Sequence, residues 1–279
     1  MAFIHLHTHS HYSLLQALPK IPELVNAAVR AEMTALALTD NGNLYGAIDF
    51  YKECKKEGIK PIIGVDAYVA ARSRLDKESG IDGSNSRLVL LALDSTGYQN
   101  LLKLVTDSYL EGFYHKPRID LELMRKHKGG LIAIVPSSRS TILPKLQKNN
   151  FDGAKEILDQ YKDIFGDKNV FLELTHHPEI EGHEASMKKV AKLSDDTGVP
   201  LVATHDVHYI HKDDRKAHET LVKIQSSADT EEQGGFDTGT PDFSFINQEQ
   251  ALEYFKNIPE AIKNTHKIAD RCNLELKLG

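Results

Sequence analysis

Histidine and aspartate residues form two closely spaced pairs near opposite ends of the chain. His7 and His9 are separated by one residue, and Asp206 and His208 repeat this spacing late in the sequence. Residues two apart on an extended segment point the same way, so each pair can present both side chains together. Imidazole nitrogens and carboxylate oxygens are ligands that suit zinc and manganese. The two pairs therefore predict one divalent metal site, provided that the fold brings them together.

The alternative is that these residues are ordinary loop histidines. A single histidine after a strand is more often solvated or hydrogen-bonded than bound to a metal, and isolated pairs with this spacing are common. The second pair repeats the spacing and adds a carboxylate. The combination therefore favours a metal site over the loop interpretation.

Short apolar runs alternate along the chain with segments of helical periodicity. The apolar runs, each typical of a buried strand, cover residues 3–6, 35–39, 61–69, 88–93, 131–135, 170–174 and 201–204. The predicted helices cover residues 21–32, 44–57, 98–110, 152–165 and 183–196, with more helix after residue 248. Seven strands mostly separated by helices favour a parallel sheet that closes, or nearly closes, into a barrel. An open, doubly wound sheet is the alternative that this pattern leaves open.

Polar residues follow several predicted strands at the end where parallel barrels assemble their active sites. His7 and His9 follow the first strand, Asp66 lies on the third, and Asp206 and His208 follow the seventh. In a closed barrel the first and last strands are neighbours, so both pairs would meet at one rim with Asp66. Three more polar residues lie at strand ends, and we expect them to support the ligands: Asp40, His176 and His177.

Composition and charge narrow the class of protein. The chain has 279 residues, 41% hydrophobic and 27% charged, as in a soluble globular protein. Its formal net charge of −6 argues against a broad surface that grips a phosphate backbone. It has no apolar run of the roughly eighteen residues that a membrane span needs, and two distant cysteines fit a reducing cytoplasm. We expect one domain over residues 1–279, with a barrel core over residues 1–210 and a helical extension over residues 212–279.

Two polar stretches interrupt the alternation of strands and helices. Residues 72–86 and 226–240 contain glycines and few apolar residues, and we expect both to be exposed loops. Tyr114, Lys116 and Arg118 follow a predicted helix, and we expect them at a solvated surface.

Several stretches of the sequence resemble the PHP family (polymerase and histidinol phosphatase). They are HLHTHSHYSLL at residues 5–15, ALTDNGNLYGAIDFY at 37–51, GIKPIIGVDAYV at 58–69, TGYQNLLKLV at 96–105, EGFYHKPRID at 111–120, VATHDVHYI at 202–210 and NTHKIADRCN at 264–273. The stretches GIKPIIG, GYQNL and EGFYHKPRID resemble the polymerase branch of the family, the domain that opens the alpha subunits of bacterial DNA polymerase III. The resemblance implies an α/β fold, a distorted seven-stranded (β/α)7 TIM-like barrel with a C-terminal helical extension.

Active members of this family bind three metals through nine ligands, and the resemblance implies which ligands this chain keeps. The first site would consist of His7, His9, Asp66 and Asp206, with aspartate at position 66 where the family usually has glutamate. This implies at most one well-formed site, for zinc or manganese, and no metal at all if that site is degenerate as well.

The other two sites would have lost most of their ligands. In the second site His208 is retained, whereas Gln16 and Asn41 replace an aspartate and a histidine, and a neutral amide oxygen is a weak ligand for a transition metal. In the third site Arg87 replaces a histidine and Ser137 replaces a cysteine or histidine. The fixed positive charge of Arg87 repels a cation and is suited to pair with the carboxylate at position 66.

The resemblance implies a domain of a replicative DNA polymerase that no longer catalyses a reaction of its own. Phosphoester hydrolysis in this family depends on clustered metals, so the damaged sites predict a structural and docking module. Its partners would be the remainder of the polymerase chain, the proofreading exonuclease subunit and other replisome subunits. DNA-directed DNA synthesis would belong to the full-length parent, which also brings the DNA. The alternative is an active metal-dependent phosphoesterase or 3′–5′ exonuclease.

Overall fold

The computed structural model describes residues 2–228 and 241–278. Seven strands lie in one sheet: β1 Ala35–Leu38, β2 Lys60–Ala70, β3 Asn85–Ala92, β4 Arg118–Ile119, β5 Leu131–Val135, β6 Val170–Leu174 and β7 Leu201–Ala203. Their order across the sheet is β1-β2-β3-β5-β6-β7, and the short β4 also pairs with β2. The predicted bounds of β5 and β6 are confirmed.

Ten α-helices connect or flank these strands in the described part of the chain. They are α1 Ile21–Arg30, α2 Ala47–Glu57, α3 Ser95–Leu110, α4 Leu121–Lys126, α5 Leu143–Gln147, α6 Phe151–Phe165, α7 His183–Thr197, α8 Arg215–Ala228, α9 Gln248–Tyr254 and α10 Pro259–Arg271. Local sequence signals set their ends. The carboxylate of Asp94 caps α3 by accepting from the N–H of Gly97 at 3.0 Å, and α2 stops at Gly58, whose φ of 74° is left-handed.

The extended segment before α1 completes the ring of strands between β1 and β7. On one side the N–H of Ala37 donates to the carbonyl of His5 at 2.9 Å. On the other side the N–H of His9 donates to the carbonyl of Val207 at 2.9 Å, and Val207 donates to the carbonyl of His7 at 3.2 Å. The prediction of a regular strand over residues 3–6 is wrong, because these bonds are too sparse to form a continuous ladder. The prediction that the start of the chain lies beside the segment after β7 is nevertheless confirmed.

Side chains fill the space that the sheet encloses. Inward-facing residues such as Ala37, Val89 and Ile134 form a buried apolar cluster, to which the end of α10 contributes Ile268. Lys60, at the start of β2, donates to the carbonyl of residue 269 at 2.6 Å. The end of α10 therefore closes the amino ends of the parallel strands, and only their carboxyl ends are left for a polar site.

The expected parallel order is wrong for one strand, because β3 runs antiparallel to both β2 and β5. A parallel return requires a long crossover, usually a helix. The connection between β2 and β3 contains no helix, so the chain returns in the opposite direction. The other pairings along the main path of the sheet are parallel.

The expectation of a solvated Arg118 is also wrong, since its side chain is fully buried. Its guanidinium donates to four backbone carbonyls, which belong to Gly112, Arg74, Asp76 and Asp82. These carbonyls accept the hydrogen bonds of the buried guanidinium, and three of them lie in the connection between β2 and β3, which Arg118 therefore holds in place. The prediction of an exposed loop over residues 72–86 is therefore wrong for Arg74 and Asp82, both of which are buried.

Most of the predicted loop over residues 226–240 lies outside the described residues. None of the helices in the described part of the chain is both long enough and apolar enough to cross a membrane.

Candidate metal centre

The predicted ligands lie at the carboxyl ends of the parallel strands. His7 and His9 lie on the extended segment that completes the ring, Asp66 lies on β2, and Asp206 and His208 follow β7. His7, His9 and Asp66 are almost fully buried, whereas the side chain of Asp206 is 23% exposed. The cluster is therefore buried and reaches solvent mainly through Asp206.

Three potential ligand atoms converge at this place. Asp206 Oδ1 lies 3.6 Å from His7 Nε2 and 3.1 Å from His9 Nδ1. Within residues 2–228 and 241–278, these three side chains form the one group of three whose ligand atoms all lie within 4.8 Å of one another. Asp66 Oδ2 adjoins the group, at 3.4 Å from His7 Nε2 and 3.7 Å from His9 Nε2. The structure thus brings both sequence pairs and Asp66 together, and their role as ligands stays a prediction.

Each of the three imidazoles of the cluster uses Nδ1 to contact an acceptor at its edge. The pairs are His7 with the Glu173 carboxylate at 2.8 Å, His9 with the Val207 carbonyl at 3.3 Å, and His208 with the Gln16 carbonyl at 2.8 Å. A carboxylate or carbonyl oxygen only accepts, so Nδ1 carries the hydrogen in His7 and His208. The neutral form of these two rings then has its lone pair on Nε2, whereas Nδ1 of His9 also lies 3.1 Å from Asp206 Oδ1.

These Nε2 atoms face carboxylates rather than donors. His208 Nε2 lies 3.0 Å from Asp206 Oδ1, and His7 Nε2 lies between Asp66 and Asp206. A lone pair opposite a carboxylate oxygen is repulsive unless a proton or a metal ion lies between them. His9 Nε2 and Asp206 Oδ1 are buried and make no well-aligned hydrogen bond. The donor set therefore fits one divalent cation, held by His7, His9 and Asp206 with Asp66 beside it.

The charges of the cluster favour the ionised forms of His7, His9 and Asp206, although burial opposes ionisation in all three. Burial lowers the pKa of His7, but the carboxylates of Asp206 and Glu173 outweigh burial and raise it well above its usual value. Burial likewise opposes the rise in the pKa of His9, which Asp206 causes. Burial would raise the pKa of Asp206, yet the neighbouring histidines hold it well below normal. Without metal, the cluster keeps its carboxylates ionised and holds protons on His7 and His9 that a metal ion would displace.

Two side chains at the positions that the resemblance assigns to a second metal site, Gln16 and Asn41, form a hydrogen bond with each other. Asn41 Nδ2 donates to Gln16 Oε1 at 2.5 Å, and Gln16 Nε2 donates to the hydroxyl of Tyr68 at 3.2 Å. His208, the retained residue, stacks on His9 with ring centroids 4.3 Å apart. The two amides offer neutral oxygens, of which that of Gln16 is already engaged in a hydrogen bond, and such a set does not fit a second transition metal.

A salt bridge joins Asp66, which the resemblance assigns to the first metal site, to Arg87, which it assigns to the third. Arg87 Nε and Nη2 lie 2.9 and 2.5 Å from Asp66 Oδ2, and the guanidinium stacks on the ring of Tyr68 at 4.0 Å. Burial would raise the pKa of Asp66, but Arg87, with the two nearby histidines, holds it well below normal. Arg87 thus supplies the positive charge that a third metal would bring.

Ser137, at the other third-site position, is committed to a hydrogen-bond network. Its N–H donates to Glu173 Oε2 at 2.8 Å, and its hydroxyl lies 2.8 Å from the hydroxyl of Thr175. The cavity at the mouth, lined by His7, Asp66 and their neighbours, measures about 30 Å³, which is room for about one water molecule or ion. Because the N–H and hydroxyl of Ser137 are engaged in hydrogen bonds and a neutral hydroxyl is a weak ligand, this position does not fit a further transition metal.

The model of the PHP domain family matches residues 5–177 of this chain. The chain belongs to the PHP domain family. Among solved structures it is similar to one from Bifidobacterium adolescentis, described as a candidate metal-dependent phosphoesterase. The two share 7% identity with a TM-score of 0.50, over 91% of this chain and 95% of the other. This likeness concerns the fold alone, and it confirms the predicted α/β barrel of the PHP domain.

Curated relatives of this PHP domain are alpha subunits of DNA polymerase III. It is 41% identical over 272 residues to the subunit of Borreliella burgdorferi, which covers 97% of this chain and 24% of the relative. It is 40% identical over 291 residues to the subunit of Thermus aquaticus, which covers 100% of this chain and 23% of the relative. The PHP chain thus spans about a quarter of the length of these relatives.

The residues predicted to support the site of this PHP domain lie in two different places. Asp40 accepts hydrogen bonds from the N–H of Ser10 at 2.7 Å and the hydroxyl of Ser13 at 2.6 Å, so it fixes the loop after His9. His177 packs on His205 with ring centroids 5.2 Å apart. His176 packs on the ring of Tyr254 at 4.4 Å. Any support from the last two for the ligands stays a prediction.

Sequence reasoning missed one residue of the cluster, Glu173. It lies on β6 in the run VFLEL, is 1% exposed and accepts the hydrogen bond from His7 described above. A glutamate inside an apolar strand could have signalled it, because a buried carboxylate requires donors. Its donors come from separate parts of the chain, so the sequence did not indicate which residues they are.

Proposed function

We propose that this chain is the PHP domain of a bacterial replicative DNA polymerase, the alpha subunit of DNA polymerase III, and that it binds one divalent metal. The two curated relatives, at 41% and 40% identity over nearly the whole chain, support the assignment to this subunit. DNA-directed DNA synthesis would belong to the rest of the parent protein, which brings the DNA and works in the cytoplasm.

One observation carries the metal proposal: three ligand atoms converge, whereas the neighbouring positions bind one another. His7, His9 and Asp206 place their ligand atoms within 4.8 Å, and Asp66 completes the set. When bound, a zinc or manganese ion would supply positive charge at this buried cluster. His7 and His9 precede α1 and Asp206 follows β7, so these residues would join the two ends of the barrel. The role that we propose for the metal is therefore structural.

We propose further that the domain does not hydrolyse phosphoesters. Metal-dependent hydrolysis in clustered sites needs ions on both the attacking and the leaving oxygen. Here Gln16 and Asn41 bond each other, and Arg87 neutralises Asp66. Arg87 is a fixed charge that cannot bind or activate water as a metal does.

The proposed partners follow from the subunit. They are the remainder of the polymerase chain, the proofreading exonuclease subunit and other replisome subunits.

Within the chain we propose one domain, with a barrel over residues 1–210 and an extension over residues 212–279. The packing of Ile268 and Cys272 against the barrel interior supports this unity.

Metal titration combined with an activity assay tests the proposal. The metal-free chain is titrated with Zn²⁺ and with Mn²⁺, and hydrolysis of a DNA 3′ end is measured before and after chelation. We expect one equivalent of metal and no hydrolysis that chelation removes. Three equivalents together with exonuclease activity lost on chelation would replace the proposal with the phosphoesterase alternative.

A further inference from the structure

Four donors hold the buried carboxylate of Glu173 in one orientation. His7 Nδ1 at 2.8 Å and Thr204 Oγ1 at 2.6 Å contact Oε1, and Ser137 N at 2.8 Å and Ser137 Oγ at 3.2 Å contact Oε2. Three of these contacts do not involve His7. The position of the carboxylate is therefore fixed before His7 is considered, and Glu173 can act as a rigid acceptor for that ring.

His7 differs from the other two imidazoles of the cluster in what holds it. His208 contacts a backbone carbonyl through Nδ1, which is present whatever side chain stands there, and Nδ1 of His9 contacts the backbone carbonyl of Val207 and the ligand carboxylate of Asp206. His7 contacts the side chain of Glu173 instead. The orientation and tautomer of His7 therefore depend on a residue that a single substitution can change.

We propose that Glu173 is a positioning residue for the metal centre, which holds His7 with Nδ1 protonated and Nε2 directed at the ion. The inference rests on the proposed metal site. A carboxylate that accepts the second N–H of a ligand imidazole fixes the ring and raises its basicity as a ligand. Both carboxylate oxygens of Glu173 accept hydrogen bonds from other groups. We therefore do not propose Glu173 as a ligand of the ion.

The substitution Glu173→Gln tests this role with little change in shape. If the new amide nitrogen faces His7, it must donate to Nδ1, and the hydrogen of the ring moves to Nε2. If the amide nitrogen faces the N–H of Ser137, two donors oppose each other. We expect the affinity for Zn²⁺, measured by calorimetric titration, to fall about 10- to 100-fold. The matched control is Glu184→Gln, which removes one negative charge from an exposed position on α7 and should change the affinity less than about threefold.

A second measurement does not depend on metal. In the metal-free chain, the Nδ1 proton of His7 is buried and bonded to Glu173, so it should give a downfield, slowly exchanging proton resonance in nuclear magnetic resonance spectra. This resonance should be lost in Glu173→Gln if the amide nitrogen faces Nδ1, or move upfield if the neutral amide oxygen replaces the carboxylate as acceptor, and it should be unchanged in Glu184→Gln. A purely structural role for Glu173 in packing would not move it.

The outcomes separate this inference from the proposed function. If the wild-type chain binds Zn²⁺ and Glu173→Gln binds it equally well, the positioning role is wrong. If the wild-type chain binds no metal, the proposed site is wrong, and the His7 resonance alone decides whether Glu173 holds the ring. If Glu173→Gln does not fold, Glu173→Asp replaces it. That variant keeps the charge but withdraws it by one methylene, so the same loss of affinity is expected and an unchanged affinity would overturn the role.

Discussion

The two halves of the barrel mouth line the same cavity but have opposite chemistry. In one half His7, His9 and Asp206 direct lone pairs and charge at a common point. In the other half Gln16 and Asn41 donate to and accept from their neighbours. The first half requires a cation or added protons, whereas the second half is satisfied without either. Gln16, Asn41 and Tyr68 thus form hydrogen bonds among themselves, and Gln16 and Asn41 stand at positions where the resemblance implies metal ligands.

Asp66 lies at the boundary between these halves. Its Oδ2 accepts from Arg87 and lies near His7 and His9, while its Oδ1 is buried without a hydrogen-bond partner. Arg87 therefore neutralises a carboxylate that the family would share between metals. The difference between the halves depends on this ion pair.

The largest effect is expected from Arg87→Met, which leaves the buried carboxylate of Asp66 without its partner. Breaking a buried ion pair in this way costs about 3–5 kcal/mol. Urea unfolding of the metal-free chain should show this loss, and added Zn²⁺ should restore part of it. Arg215→Met, which removes an exposed pair with Glu219 at 3.1 Å, should cost less than about 1 kcal/mol. Equal losses in the two variants would show that Arg87 is not needed to neutralise the mouth.

Asp206→Ala should remove metal binding from the retained half. Even a partner that only supports a ligand is worth about 10- to 100-fold in affinity, so loss of this ligand should cost at least about 100-fold, or about 2.8 kcal/mol. Elemental analysis after purification in metal should then find no bound ion. Asp195→Ala, at an exposed position of α7, should keep the wild-type content. Retained metal in Asp206→Ala would place the site elsewhere.

Stability at mildly acidic pH should depend on the histidines whose pKa is lowered by burial. Burial lowers the pKa of His5 and of His218 to about 4, so the unfolded state takes up their protons first. Their contribution to stability is lost as pH falls from about 6.5 towards 4, by up to about 1.4 kcal/mol per pH unit for each group. The raised pKa of His7 acts the other way: its contribution is complete below about pH 6.5 and is lost as pH rises. The metal-free chain should therefore unfold more easily at pH 5 than at pH 6.5, and an unfolding free energy that is higher at pH 5 than at pH 6.5 would contradict the assignment.

The smallest effect is expected from Asn41→His, which restores one ligand type in the replaced half. Gln16 would still lack a carboxylate and Arg87 would still exclude a third cation, so we expect no hydrolysis of a DNA 3′ end. An exonuclease assay with and without chelator measures this. Robust turnover by this single variant would show that the replaced half is closer to activity than its hydrogen bonds indicate.

Periodicity and spacing predicted much of the fold and the convergence of His7, His9 and Asp206, whose role as metal ligands stays a prediction. β5 is a continuous apolar run, β6 is apolar except for Glu173, and the bounds of both were predicted from the sequence. The pairs His7/His9 and Asp206/His208 have the same spacing, and this spacing can be read from the sequence without knowing the fold. The direction of β3 was missed although the loop predicted over residues 72–86 already lacked the helix that a parallel crossover usually needs.

Buried charges were harder to predict than ligands. Arg118 was expected in solvent because its acceptors are backbone carbonyls, which every sequence contains. Glu173 was missed because its donors, His7, Ser137 and Thr204, are far apart in sequence and meet only in the folded barrel. In both cases the partners become identifiable only in three dimensions.

Anomalous scattering from crystals of the chain grown with zinc or manganese tests the difference between the two halves most directly. We expect one peak at the absorption edge of the metal, in contact with His7, His9 and Asp206, and no peak beside Asn41 or Ser137. Peaks at those other positions, or an empty density between His7 and Asp206, would contradict a mouth with one retained and two replaced metal sites.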